Sequence, residues 1–185
     1  MPEGQQDNYF TELLKLALVA AIIILPIRLF VAQPFIVSGA SMDPTFASGQ
    51  YLIVDELTYK FEAPARGEVI IFHYPKDTTQ FFIKRIIGLP GETVSIQDGS
   101  IYITETNGKS IELNEPYVKN AGNGSNMVKK LGTGEYFVMG DNRPESSDSR
   151  TWGILPAKDI VGRAFLRLLP YNQIGIFPGS TAAQQ

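Results

Sequence analysis

Gln80-Phe-Phe-Ile-Lys-Arg-Ile-Ile-Gly-Leu-Pro90 alternates as a β-strand does, which places Phe82, Lys84 and Ile86 on one face, an ammonium among apolar neighbours. Burial disfavours the charged amine, so a lysine in such a place falls from its ordinary value of about 10.4 towards neutrality, where it accepts a proton. Alone in a strand, a lysine reads as a snorkelling side chain whose stem covers apolar surface while its head reaches water. A nucleophile within reach reverses that reading and makes Lys84 a candidate general base.

Such a nucleophile lies upstream in Ser38-Gly-Ala-Ser41-Met-Asp-Pro-Thr45, a turn rich in small residues that follows a short extended stretch from Phe35 to Val37. Small residues let the backbone approach a substrate carbonyl closely. A seryl hydroxyl needs a base, and the single histidine, His73, lies in the strand-like run Glu68-Val-Ile-Ile-Phe-His-Tyr74 with nothing catalytic around it. The segment Gly39-Ala-Ser41-Met-Asp43 also misses the Gly-x-Ser-x-Gly elbow of hydrolases. Ser-Lys chemistry fits better than a Ser-His-Asp triad.

The signals beyond residue 34 are overwhelmingly β. Runs such as Gln50-Tyr-Leu-Ile-Val54, Glu92-Thr-Val-Ser-Ile96, Ser100-Ile-Tyr-Ile-Thr104, Glu135-Tyr-Phe-Val-Met139 and residues 160–168 are rich in β-branched and aromatic side chains. Asp98-Gly99 reads as a two-residue hairpin turn, Asn107-Gly108 as another, and Asn120 to Asn126 as a flexible surface loop. About 150 residues follow the N-terminal segment, enough for one domain with its own core.

Three stretches carry a family pattern: Ser41-Met42-x-Pro44-Thr45, then Lys84-Arg85-Ile-Ile-Gly88-Leu-Pro-Gly91-Glu92, then Gly140-Asp-Asn-Arg143-x-x-Ser146-x-Asp148-Ser-Arg150-x-Trp-Gly153. In this order, behind an apolar N-terminal segment, they resemble the sequence boxes of bacterial type I signal peptidases, leader peptidases of the Ser-Lys dyad family. The resemblance implies a mainly β fold, a signal-peptidase-like β-barrel or sandwich catalytic domain preceded by one transmembrane helix. It implies a serine endopeptidase in which Ser41 attacks the scissile carbonyl and Lys84 is the base. Ser146 would orient the lysine; Asp148 with Arg150, and Asp141 with Arg85, would form supporting ion pairs. Taken as isolated charges, those four read as a solvated face worth little. Where some members carry a serine whose hydroxyl completes the oxyanion hole, this chain has Gly39, so stabilisation rests on the Ser41 amide and a main-chain group or water near Gly39. Phe35, Val37, Phe46 and Phe82 correspond to positions lining shallow pockets for small residues one and three places before the cut, the Ala-x-Ala pattern of secretory signals. Each also reads as a core residue on composition.

From Leu13 to Phe35 the chain is apolar apart from Lys15, Arg28 and Gln33, with an uninterrupted run from Leu16 to Ile27. About 20 such residues suffice to span a bilayer. The rival is a cleaved secretory signal, since Ser38-Gly-Ala40 itself looks like a small-residue cleavage site, but the stretch from Arg28 to Ala40 is long for a signal's polar end and contains Phe30, Val31 and Phe35. The expected organisation is a short cytosolic tail at 1–12, an uncleaved anchor at 13–33, a peptidase domain at 34–176 with a small β insertion at about 92–134, and a flexible tail at 177–185. Charge hardly encodes orientation, with Lys15 on one side and Arg28 on the other. The resemblance supplies a single-pass topology with the catalytic domain on the extracytoplasmic side.

The 185-residue chain has a formal charge of −3 and no basic cluster, which argues against nucleic acid as a partner. Cysteine is absent, so disulfides and thiolate chemistry are excluded, and a metal site would have to rely on carboxylates. No metal or other cofactor is expected; the expected partners are signal peptides of secretory preproteins and membrane lipid, with the protein acting as a monomer. Two rivals share part of the pattern. A Ser-Lys self-cleaving repressor domain would be soluble and joined to a DNA-binding module; the expected anchor and the lack of a basic helix-turn-helix segment count against it. A membrane-tethered β module that only binds peptides would leave Ser41 and Lys84 without a chemical role.

Overall fold

The computed structural model describes residues 6–30, 32–122 and 126–180. Beyond an N-terminal helix, α1 (Gln6–Phe30), the described chain forms two antiparallel sheets. The larger runs in the order β1 (Ala32–Ile36), β2 (Tyr51–Asp55), β11 (Ile160–Leu169), β3 (Val69–Tyr74), β4 (Asp77–Gly88), β9 (Glu135–Met139) and β10 (Leu155–Pro156), with β12 (Gly175–Ile176) on β11. The smaller holds β7 (Ser110–Glu112), β6 (Ser100–Thr104), β5 (Thr93–Gln97) and β8 (Met127–Lys130), and so occupies the stretch expected as an insertion. Asp98 and Gly99 both have positive φ, 49° and 88°, the geometry that a two-residue turn needs to match strand twist.

Alternation along the strands explains why the large sheet is buried on both faces. On β3, Val69 and Ile71 enter one apolar cluster with Val37, Met42, Phe46, Leu52 and Val54, while Ile70 and Phe72 enter another with Ile86, Tyr136, Val138 and Trp152. On β9, Phe137 and Met139 turn the other way, into a third cluster shared with Val94, Ile96, Ile101 and Ile103 of the small sheet. Each fully buried Ile or Phe side chain contributes about 1.5–3 kcal/mol. Consequently β4 from Lys84 to Gly88, flanked by β3 and β9, is buried throughout.

Further towards its N-terminus β4 pairs with β3 alone, because β9 reaches only Arg85 to Gly88. The sheet curls so that its β1 edge faces this unpaired side of β4: the rings of Phe35 and Phe81 meet edge-on with centroids 5.3 Å apart. A cleft bounded by two strand edges results.

The N-terminal boundaries differ from those expected. Helix α1 starts at Gln6 inside the expected tail, and Ala32 and Gln33, expected in the anchor, belong to β1, where Gln33 pairs with Val54. Residues 1–5, Val31 and the Phe30 side chain lie outside the described residues. Among the described residues no helix is long and apolar enough to cross a membrane. Leu13, Leu14, Leu16, Leu18 and Ile22 are exposed on α1. At the other end, residues 177–180 are tied down where a flexible tail was expected: the Phe177 amide bonds the Phe165 carbonyl, and Arg85 Nη1 donates to the Gly179 carbonyl. Residues 181–185, and 123–125 of the expected surface loop, lie outside the described residues.

Gly88 sits where β4 leaves the large sheet for the small one, and a Cβ there would stand 2.4 Å from Val94 Cγ2, 2.9 Å from Leu131 Cδ1 and 3.1 Å from Phe137 Cβ. Overpacking of this kind costs about 1–3 kcal/mol. Gly88→Ala is therefore expected to lower the thermal midpoint by several degrees in a melting experiment; an unchanged midpoint would show that the junction between the sheets is loosely packed.

Candidate active site

The nucleophile turn leaves β1 at Val37 and returns to β2 at Gln50, its base closed by the Val37 amide on the Gln50 carbonyl (2.9 Å) and the Gly49 amide on the Val37 carbonyl (2.8 Å). Met42 and Phe46, fully buried, anchor its far side in the core. Gly39 has φ +93°, a conformation that L side chains rarely adopt, and its amide donates to Ser48 Oγ at 3.4 Å. Ser41 is thus presented on a short turn fastened at both ends.

Lys84 meets it from β4. Its Nζ lies 2.8 Å from Ser41 Oγ and 2.9 Å from the Ile83 carbonyl, with the residue only 4% exposed and the Phe82 ring centroid 5.3 Å away. Burial pushes the amine down from the ordinary 10.5 to about 8, against the opposing pull of the Asp148 and Asp141 carboxylates. A free amine is able to accept a hydroxyl proton across a contact of this length, which makes the pair a candidate base and nucleophile.

Arg85, the next residue, is handled oppositely. Its Nε and Nη2 bind Asp141 at 2.8 and 2.5 Å, Nη1 donates to the Gly67 and Gly179 carbonyls, and Tyr117 lies 3.9 Å from its Cζ, ring centroid to guanidinium. Thr45 Oγ1 donates to the same Asp141 at 2.6 Å, so a single carboxylate joins the nucleophile turn, the lysine strand and the third box. Asp148 and Arg150 also pair, at 2.8 Å, and Asp148 caps the short helix α2 (Ser149–Trp152) by accepting from the Arg150 amide. Breaking the fully buried Arg85–Asp141 pair would leave an uncompensated charge, whereas the Arg150 side chain of the second pair is 22% exposed.

Ser146 differs from expectation. Its hydroxyl accepts from the Gly140 amide at 3.1 Å, and the bond expected between Ser146 and the lysine is replaced by the bond from Lys84 to Ile83. The third box turns so tightly here that the Gly140 Cα faces both Ser146 and the nucleophile turn: a Cβ on Gly140 would stand 2.3 Å from Ser146 Oγ and 2.3 Å from the Ser41 carbonyl oxygen. Gly140 is sterically required where the two meet.

A cavity of about 400 Å³ opens beside Ser41 and Lys84 between β1 and β4. Phe35, Val37 and Phe82 line it, as expected, along with Leu52, Ile71 and Phe81. Phe46 does not: it is fully buried in the core beneath the turn, with the Arg167 guanidinium 4.8 Å from its ring. His73 lies on β3 with Nδ1 bonded to the Thr78 carbonyl, away from Ser41. Among the described residues no three His, Asp or Glu side chains converge as a metal site would require.

Sequence reasoning missed Asn142, Glu115 and Tyr117. Asn142 stands inside the third box but its partners are backbone carbonyls, which leave no mark in a side-chain pattern. Glu115, paired with Arg143, and Tyr117, which lies against Arg85, belong to the segment that follows β7, the edge strand of the small sheet.

Comparison with known proteins shows the family of the chain. The family model described as signal peptidase, peptidase S26, matches residues 10–169. The chain is 36% identical over 180 residues to a probable signal peptidase I-1 of Synechocystis, covering 92% of this chain and 89% of that one. It is 34% identical over 180 residues to signal peptidase I of Bacillus licheniformis, covering 91% and 94%. A crystal structure of a signal peptidase I from Enterococcus faecalis superposes with a TM-score of 0.47 at 33% identity, over 55% of this chain and 97% of that one. With most of its length matched, the chain belongs to the signal peptidase family, peptidase S26.

Proposed function

We propose that this chain is a membrane-associated serine endopeptidase that removes signal peptides from preproteins, with Ser41 as nucleophile and neutral Lys84 as general base. The observation that carries the reading is the 2.8 Å contact between a buried lysine amine and the hydroxyl of a serine at the mouth of a cleft. Lys84 takes the hydroxyl proton as Ser41 Oγ bonds to the scissile carbonyl carbon, and the carbonyl electrons move to oxygen. The resulting ammonium returns the proton to the leaving amine as the C–N bond breaks. A water molecule, deprotonated by the same amine, then bonds to the acyl carbon; the ester bond to Ser41 Oγ breaks, the ammonium returns the proton to Oγ, and the new carboxylic acid leaves.

The preprotein adds to the cleft as an extra strand. The β1 edge and the unpaired side of β4 offer backbone donors and acceptors, and both strands run towards the catalytic pair, so the signal peptide enters at the Phe35–Phe81 end with its cut site at Ser41. Aromatic and branched walls from Phe35, Val37 and Phe82 restrict the pockets to small side chains. In this account Asp141 with Arg85, and Asp148 with Arg150, fix the frame, Gly39 shapes the turn, and Ser146 acts through Gly140. No cofactor takes part, and one copy of the chain is sufficient.

Helix α1 serves as the membrane attachment. Its Leu13, Leu14, Leu16 and Leu18 are exposed, and apolar side chains presented to the outside of a helix are at home in lipid. We place the catalytic domain on the extracytoplasmic face, where a translocated cut site emerges.

The test is cleavage of a purified preprotein in detergent, with product ends read by mass spectrometry. Wild type is expected to cut after a small residue; Ser41→Ala and Lys84→Met are expected to lose at least about 10²–10⁴-fold in rate. Turnover near wild type in either variant contradicts the mechanism. Because the base must be neutral, wild-type kcat/KM is expected to rise with pH through about 8 and then level off; a flat profile between pH 6 and 10 contradicts it.

Lys84→Met separates chemistry from folding. In the folded enzyme the lysine titrates near 8, and in the unfolded chain near 10.5. Below pH 8 it is charged in both states and the folded state bears the burial cost; above 10.5 it is neutral in both and the cost is gone. Removing it is therefore expected to stabilise the domain at neutral pH by on the order of 3 kcal/mol, a gain that shrinks between pH 8 and 10.5. Denaturant titrations at pH 7 and pH 10.5 check this, and a variant less stable at pH 7 contradicts it.

A further inference from the structure

The Ser41 backbone amide is the oxyanion donor of the proposed mechanism, and the structure leaves it without a helper from Gly39. Position 39 has no side chain, and its own amide is engaged by Ser48 Oγ. Among the described residues the Ser41 amide has no acceptor, as a group reserved for a substrate oxygen requires. Its direction then decides how much it is worth. In a trans peptide the C=O and N–H point opposite ways, so fixing the Ala40 carbonyl fixes the Ser41 amide.

Two donors hold that carbonyl. One is local: the Asp43 amide at 3.1 Å, within the turn itself. The other comes from across the site: Asn142 Nδ2, also at 3.1 Å. The same Asn142 sends its backbone amide to the next carbonyl along, that of Ser41, at 3.0 Å. One residue of the third box therefore grips two successive carbonyls of the nucleophile turn. Asn142 is itself held, since its neighbour Asp141 is locked to Arg85 and Thr45, and Gly140 abuts the Ser41 carbonyl with no room for a side chain.

We infer that Asn142 is a positioning residue for the oxyanion hole: its carboxamide pins the Ala40–Ser41 peptide so that the Ser41 amide points at the developing oxyanion. This rests on the reading of Ser41 as nucleophile. A preorganised donor acts on the charge that develops in the transition state, so its misalignment lowers kcat and leaves substrate binding alone. Removal of an oxyanion donor costs about 10²–10³-fold. Misaligning one that keeps its Asp43 tether should cost less, about tenfold or somewhat more.

The test replaces the carboxamide by an isosteric group that cannot donate, Asn142→Leu, in the full chain, and leaves the backbone bond to Ser41 in place. Two quantities are read beside wild type and Ser41→Ala: kcat and KM for a preprotein, and inhibition by a short peptide ending in alaninal, whose hemiacetal with Ser41 places an oxygen in the oxyanion hole. The expected result is a kcat about tenfold lower or more, KM within about twofold, and inhibition by the aldehyde weakened in proportion to kcat. Asn142→Gln, which keeps a donor on a longer stem, is expected to recover part of the loss. If Asn142→Leu turns over like wild type, or if KM and kcat change together with the aldehyde unaffected, the inference is overturned while the Ser-Lys mechanism stands. If Asn142→Leu fails to fold, Asn142→Asp carries the test with the same criteria, because it is nearly the same shape and also lacks the donor. If wild type and Ser41→Ala behave alike, the reading of Ser41 fails and the inference falls with it.

Discussion

Two adjacent cations on one strand receive opposite treatment, and the rest of the site depends on that contrast. Arg85 is given a carboxylate held by two bonds, two backbone carbonyls and a tyrosine face. Lys84 is given one carbonyl and one hydroxyl. Both are buried, but only the arginine is given a paired counter-charge, while burial drives the lysine towards its neutral form. The nearby acids do not undo this, because each is already committed: Asp141 to Arg85 and Thr45, Asp148 to Arg150 and to the Gly140 amide. A carboxylate free to turn to the amine would restore the ammonium and remove the base.

The fold makes that contrast possible by burying β4 on both faces. β3 and β9 flank it, one core cluster lies on one side, and the small sheet closes the other. Alternation then sends successive side chains into different surroundings, Lys84 towards the cleft and Arg85 towards Asp141. The cleft exists because β9 stops at Arg85 and leaves the earlier part of β4 with an open edge beside β1. The contact between Lys84 and Ser41 and the cleft beside it are thus two consequences of one strand running past its neighbour.

Much of this is legible in the sequence. Period-two alternation marks the strands, Asp98-Gly99 marks a hairpin, and an apolar face interrupted by Lys84, taken with the Ser41 turn, marks a candidate base. The ion pairs follow only from the family resemblance, because as isolated charges Arg85, Asp141, Asp148 and Arg150 read as a solvated face. What the sequence hides is backbone geometry and docking. Phe46 looks like the other pocket aromatics, yet the helical turn after Ser41 rotates it beneath the site into the core. By family resemblance Ser146 is a partner for the amine, yet its hydroxyl accepts from the Gly140 amide. Asn142 bonds to carbonyls and Tyr117 belongs to the segment that follows β7, so neither leaves a periodic trace. The start of α1 at Gln6 is likewise hidden, because polar residues at a helix end differ little from those of a loop.

The central claim is that burial without a committed counter-charge holds the Lys84 amine near neutrality. Selective ¹³Cε labelling of lysine and an NMR titration of the detergent-solubilised protein, with Lys84 assigned by its loss in Lys84→Met, measure that directly. The account predicts a midpoint near 8, well separated from the remaining lysines. A Lys84 resonance that titrates with the others near the ordinary lysine value of about 10.4 would contradict it.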